Sequence, residues 1–214
     1  MKYNKFMYLY PPRPSSKLKF GSDTYKTFQS RANYIAQLKL NGQRNCIYRF
    51  PDGHYEMWNR HKEKHRNYSP PQWIIDEIEA TFTFIDGTFT VLDCELLHNK
   101  DRDTKNILYF WDVLVLNGEY LIGKTYRDRY DMLLNMIKVP LTRGDMYYIA
   151  TPNIWVAINL SPLMWDVMWE KTSISYVEGY VIKNMNAKLE LGLRPENNGT
   201  WQIRCRKPHK NYSI

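Results

Sequence analysis

The chain has 214 residues, with 30 Lys and Arg against 22 Asp and Glu for a net charge of +8, and it is 43% hydrophobic and 15% aromatic. These values exclude a disordered chain and allow a real core without disulfides or structural metal. No apolar run nears the roughly 18 residues of a membrane span, the opening MKYNKFMYLYPPRP has no signal-peptide core, and Cys46, Cys94 and Cys205 lie far apart without a CxxC pair, so a cytoplasmic, reducing setting is expected. The charge is unevenly spread: 14 basic and 4 acidic side chains in residues 1–70, 12 and 18 in 71–200, and 4 and none in 201–214. A basic patch is the usual footprint of phosphate binding, although charge alone fits a merely solvated surface as well.

In chain order, YPPRPSSKLKF has too many prolines for a helix at its start. Asp23–Arg31 is a short helix candidate with Asp23 as N-cap. Tyr34–Leu40 and Asn45–Phe50 are strand-like runs around Asn41-Gly42, which predicts a hairpin; Asp52-Gly53 is a second turn. PPQWIIDEIEA opens a helix at Pro70 and Pro71. Thr81–Leu97 predicts a hairpin around Asp86-Gly87, with Phe89, Val91, Asp93 and Glu95 sharing a face of its second strand.

A polar loop, HNKDRDTKN, leads to the apolar strand ILYFWDVLVL and a turn at Asn117-Gly118. Lys124–Lys138 has helical spacing, with Tyr130, Leu133, Leu134 and Ile137 on one stripe. Ser161-Pro162 starts another helix, whose apolar face is Met164, Trp165, Met168 and Trp169 and reads as core. Ser175–Asn184 and Trp201–Arg206 are the last strands. The expectation is a single α+β domain over residues 1–214, dominated by antiparallel strands with helices between them.

Charged residues embedded in apolar strands need a partner or a ligand. They occur in QLKLNGQR (37–44), VLDCELL (91–97), FWDVL (110–114), VEGYVIK (177–183) and IRCRK (203–207). Singly, Lys39 reads as a solvated or paired lysine and Glu95 and Glu178 as ion-pair partners. Together, Lys39-x-Asn-Gly-x-Arg44, the acidic strand with Glu95, Phe110-Trp111-Asp112, Glu178-Gly179-x-Val181-x-Lys183 and the closing basic residues resemble, in order, the motifs of the covalent nucleotidyltransferase superfamily. That superfamily comprises ATP-dependent DNA ligases, RNA ligases and mRNA capping enzymes, and the resemblance spans residues 35–210.

The resemblance implies a ligase-type nucleotidyltransferase (adenylation) domain, with Lys39 as the nucleophile that forms a lysyl-AMP intermediate from ATP. It implies that Gln37, with Leu38 beside it, borders the purine, that Trp111 stacks on it, and that Arg44 contacts the ribose region and the terminal nucleotide. Glu95 and Glu178 match carboxylates that hold the ribose or a Mg²⁺ (or Mn²⁺) ion, an oxygen-only set suited to such metals. Lys183, Arg204, Arg206 and Lys207 match cations around the α-phosphate, with the main role among the last three left open. Three departures stand out: Asn41 where the family has Asp, Cys94 where it has Gly, and arginines where its last motif has lysines.

His61 and His65 lack Cys or acidic partners in RHKEKHR and read as a solvated or nucleic-acid-facing loop rather than a zinc site. Arg60, Lys62, Lys64 and Arg66 are candidate phosphate-backbone contacts, with Trp58 and Tyr68 available to stack. By resemblance, the few residues after Lys207 leave no room for an OB-fold domain. The expected protein is therefore a monomeric, phage-type ATP-dependent ligase, RNA-type first, acting on RNA or DNA strand ends in the host cytoplasm, with a partner protein as a source of missing functions. The rivals are a minimal DNA ligase, a GTP-dependent capping guanylyltransferase and a catalytically silent nucleic-acid-binding protein.

Overall fold

A computed structural model describes residues 8–65, 68–98, 104–192 and 198–208. Among these residues, twelve strands form two sheets. The smaller has the order β1 (Arg13–Leu18), β12 (Asn198–Arg206), β11 (Val177–Asn184), β2 (Tyr34–Leu40). The larger runs β4 (Tyr55–Trp58), β3 (Gln43–Arg49), β5 (Thr90–Leu97), β6 (Ile107–Leu116), β10 (Ile154–Ala157), β9 (Tyr147–Thr151), β8 (Thr142–Arg143), with β7 (Glu119–Tyr120) paired to β6. Four α-helices accompany them among the described residues: α1 (Asp23–Gln29), α2 (Gln72–Thr81), α3 (Tyr126–Asn135) and α4 (Trp165–Glu170).

The α+β class expected from the sequence holds, but the sheets are mixed rather than purely antiparallel. β1 runs parallel to β12 and β10 parallel to β6. β1 arises from the proline-rich opening because an edge strand tolerates missing N–H donors. β8, β9 and β10 escaped the sequence reading. All five residues of β9 are half-buried, so it shows no alternation to read.

Two large apolar clusters, and a small third one around Tyr126 and Tyr130, hold the layers together. Leu108 and Phe110 of β6 join Ile74 and Ile78 of α2 and Leu133 of α3 in one; Tyr109 joins Trp165, Tyr180 and Ile203 in the other. The period-two alternation along β6 thus feeds both. α3 begins on a capping box, with the Thr125 hydroxyl accepting from the Asp128 amide and the Asp128 carboxylate accepting from the Thr125 amide. The cap of α1 is Ser22 rather than Asp23: its Oγ accepts from Tyr25 N at 3.2 Å. Met164, expected on the apolar face of the following helix, is exposed, whereas Trp165, Met168 and Trp169 are buried.

Two of the expected hairpins do not form. The two strands flanking Asn41-Gly42 belong to different sheets, so the dipeptide carries the chain from one sheet to the other. A Cβ on Gly42 would lie 2.5 Å from Glu95 Cγ and 2.6 Å from the Leu96 carbonyl oxygen. Gly42 is thus required by close approach and not by a positive φ. At Asp86-Gly87 the first strand is missing: α2 runs to Thr81, residues 82–85 are irregular apart from a single bridge of Phe82 to Ile137, and only β5 follows as a strand. Asn117-Gly118 does make a two-residue hairpin between β6 and β7, with φ of 51° and 84° as such a turn demands.

Candidate active site

The sheets face each other across a cleft of about 910 Å³. One wall is Gln37 and Lys39 of β2, Glu178, Val181 and Lys183 of β11, and Arg204 and Arg206 of β12. Arg44, Glu95 and Trp111 come from β3, β5 and β6 of the larger sheet, and residues 59–65, with Arg60 and Lys64, form a lip. Residues from six separated sequence segments therefore meet in one concavity.

Lys39 sits at the floor, paired through Nζ with Glu178 Oε2. Arg206 Nε lies 3.1 Å from the same carboxylate oxygen. Glu178 reaches this position because the β11–β2 register shifts between Val177 and Gly179, leaving Glu178 as the extra residue of a bulge. Gly179 takes φ of +130°, and a Cβ there would lie 2.2 Å from the Cys205 carbonyl oxygen. The Glu-Gly pair is thus a local device: the glycine lets two backbones touch and the bulge turns the carboxylate inward. Burial lowers the Lys39 pKa, an effect opposed by Glu178 and Glu95 and reinforced by Arg206. A lowered pKa raises the fraction of neutral, nucleophilic amine.

Glu95 Oε1 accepts from Gly42 N at 3.1 Å. Arg44 forms a fork on Asp93, with Nε at 2.9 Å from Oδ1 and Nη2 on Oδ2, while Nη1 donates to the Pro12 carbonyl at 2.7 Å. Trp111 Nε1 donates to Asp93 Oδ2 at 3.1 Å, and the Arg44 guanidinium lies 5.4 Å from the Trp111 ring centroid. Asp93 therefore fixes both Arg44 and Trp111.

Gln37 Nε2 donates to Tyr126 Oη and to Asn159 Oδ1, each at 2.7 Å, so its amide is oriented before any ligand arrives. Lys183 Nζ donates to Tyr126 Oη at 3.2 Å and lies 5.6 Å from the Trp111 centroid. Burial pulls the Lys183 pKa down to about 7, against the pull of Asp112 and Asp93.

Leu38 borders the cleft but packs in the second apolar cluster. Lys207 is not part of the lining: its Nζ is 3.2 Å from Ser173 Oγ and 5.5 Å from the Trp169 centroid. Lys64 pairs with Glu56 and lies over Trp58, and Lys62 lies 6.0 Å from the Tyr8 centroid. Arg66 lies outside the described residues. Tyr68, expected as a stacking platform, is buried in the first apolar cluster and cannot serve as one. Cys94 packs in that same cluster rather than in the cleft lining, so its side chain does not crowd the site.

Sequence reasoning missed Tyr126, Asn159, Asp93 as the anchor of Arg44, and Arg129, which pairs with Asp112 beneath the site. No group of three metal-ligating side chains converges among the described residues. Glu95 and Glu178 do fit a Mg²⁺ ion shared with substrate phosphates, since that ion commonly takes only one or two protein carboxylates.

The fold matches that of solved ligase domains. The ligase domain of LigD from M. tuberculosis superposes with a TM-score of 0.57 at 15% identity, covering 91% of this chain and 58% of that one. A mycobacterial DNA ligase D complexed with ATP and MES gives 0.52 at 14%, covering 92% and 60%. A Lig E DNA ligase, described as DNA binding with a minimal scaffold, gives 0.51 at 18%, covering 92% and 69%. The chain thus spans about three fifths of the length of the first two. No family model matches the sequence, and no curated protein matches it. Among the described residues, no helix is long and apolar enough to cross a membrane.

Proposed function

We propose that this chain is an ATP-dependent polynucleotide ligase that works through a lysyl-AMP intermediate on Lys39. The observation that carries the reading is Lys39 itself: a desolvated amine, paired with Glu178, at the floor of a cleft lined by Trp111, Gln37 and several arginines. Neutral Lys39 Nζ attacks the α-phosphorus of ATP, forming an N–P bond as the bond to pyrophosphate breaks. Glu178 is in position to take the ammonium proton. AMP then passes to a 5′-phosphate, making a pyrophosphate linkage and freeing the lysine. A 3′-hydroxyl finally attacks that strand's phosphorus and expels AMP.

Trp111 stacks on the adenine, Gln37 reads its edge, Arg44 meets the ribose side, and Lys183 and Arg206 meet charge on the α-phosphate. A Mg²⁺ or Mn²⁺ ion held by Glu95 or Glu178 supplies charge neutralisation at the phosphates when bound. The test is the intact mass after incubation with ATP and Mg²⁺. A gain of one AMP, absent in Lys39→Ala, supports the reading. No adduct with ATP or GTP, together with no sealing of a pre-adenylylated strand, overturns it; an adduct with GTP alone favours the capping reading.

RNA-type sealing is the first form of this reading, whereas the solved structures the chain resembles are named as DNA ligases. Sealing of a nick in duplex DNA is therefore the second reading. A panel of nicked duplexes with RNA or DNA on each side of the nick separates the two.

A further inference from the structure

The amide of Gln37 is held in one sense, and the constraint starts at Trp111. The β5–β6 pairing steps from Cys94–Phe110 to Asp93–Asp112 and leaves Trp111 out. The Trp111 carbonyl instead accepts from the Tyr126 hydroxyl at 2.8 Å. A phenol has one hydrogen, so Tyr126 Oη keeps only acceptor capacity for its two other neighbours, Gln37 Nε2 at 2.7 Å and Lys183 Nζ at 3.2 Å. An isolated bridge between Ala36 and Leu160 sets Asn159 beside Gln37, and Asn159 Oδ1 accepts the second hydrogen of Nε2 at 2.7 Å.

Turning the Gln37 amide over would set Oε1 against a hydroxyl with no hydrogen to give. Asn159 can turn with it, giving up only a weak contact of Nδ2 to Met185 Sδ at 3.8 Å. Tyr126 cannot follow, because the Trp111 carbonyl would then lose its donor. With both amide hydrogens used, what Gln37 offers a ligand is Oε1, a fixed acceptor on a buried side chain that lines the cleft. Adenine presents an amino donor at position 6, whereas guanine presents an acceptor oxygen there. A tyrosine that merely filled the core would have no need of three polar neighbours that all line the cleft: Trp111, Gln37 and Lys183.

We propose that Tyr126 is a positioning residue for base choice: by fixing the Gln37 amide with its oxygen free, it makes the site accept a purine that donates at position 6 and reject one that accepts there. Asn159 follows this orientation and does not set it. The inference deepens the ATP reading and rests on it for the placement of the base over Trp111.

Equilibrium binding of ATP and ITP, with divalent metal chelated, tests it; the two bases differ at position 6 and in the proton of the adjoining N1. The wild type is expected to bind ATP about tenfold or more tighter than ITP. Tyr126→Phe keeps the ring and removes the acceptor, which frees Gln37 and Asn159 to turn together, and the preference is expected to fall to about threefold or less. Asn159→Leu, with Tyr126 in place, is expected to retain most of the preference. A wild type that binds the two nucleotides alike overturns the proposal, as does a Tyr126→Phe variant that weakens both equally and keeps the ratio. Loss of the preference in Asn159→Leu overturns the role of Tyr126 as well, so the test stays open where Tyr126→Phe fails to fold. No covalent step is read: a Lys39 adduct from a protein that binds ATP and ITP alike sinks this inference alone, and an ATP preference without any adduct or sealing sinks the ligase reading alone.

Discussion

Asp112 and Arg129 meet as a two-pronged ion pair shut away from water, with Arg129 Nε 2.9 Å from Oδ1 and Nη2 2.8 Å from Oδ2. Arg129 Nη1 also donates to the Lys124 carbonyl at 2.9 Å, so β6, α3 and the turn before α3 are tied at one point. Asp112→Ala strands a buried guanidinium and is expected to cost about 3–5 kcal/mol in chemical denaturation. A double replacement, Asp112→Leu with Arg129→Met, is expected to recover much of that loss, because the stranded charge goes with it.

Lys183 carries a pH signature. Its pKa falls to about 7 in the folded protein from an ordinary 10.5, so between these values the unfolded chain binds more protons than the folded one. Stability therefore rises with pH across that window, and the burial penalty is fully felt below about pH 7. Lys183→Met removes the group, so the denaturation free energy of the wild type relative to this variant should climb from pH 7 towards 10.5. A flat difference would contradict the buried, deprotonating lysine.

Gly179 serves the site through its backbone. Alanine there adds a Cβ 2.2 Å from the Cys205 carbonyl oxygen at a φ of +130°, and no flexible side chain is available to give way. Gly179→Ala is expected to cost about 2 kcal/mol or more in stability and to slow adenylylation by displacing Glu178. Single-turnover labelling with ATP and an unfolding curve check both halves.

Arg44 is held by a fork that lysine cannot copy, since the guanidinium meets both Asp93 oxygens and the Pro12 carbonyl together. Arg44→Lys keeps the charge but loses the bidentate geometry. The expected outcome is a drop of about tenfold or more in strand sealing, with a small change in melting temperature. The contrast between sealing rate and stability is the measurement.

Lys39, Gln37, Glu95 and Trp111 stand out in the sequence as polar or aromatic residues on apolar strands, each weak alone and given a role only by the order in which the pieces resemble a family's motifs; the structure gathers them in one cleft. What escaped was set by distant partners. Arg129 is one of four charged residues in YRDRYD, with nothing local to single it out, yet it is buried because Asp112 on a remote strand faces it. The Asn-Gly pairs show the same limit. At 117–118 the dipeptide is used for its positive φ, whereas at 41–42 the glycine is used for its missing side chain. Local sequence cannot distinguish these uses, because the atoms that forbid a Cβ at Gly42 belong to Glu95, Leu96 and Leu97.

That short crossing at Asn41-Gly42 also acts as a leash between two side chains of the cleft. Lys39 is anchored in the smaller sheet and Arg44 in the larger, with four residues between them. Five residue steps of at most about 3.6 Å keep their backbones within about 18 Å of each other, so the nucleophile and the guanidinium stay neighbours however the two sheets are otherwise arranged.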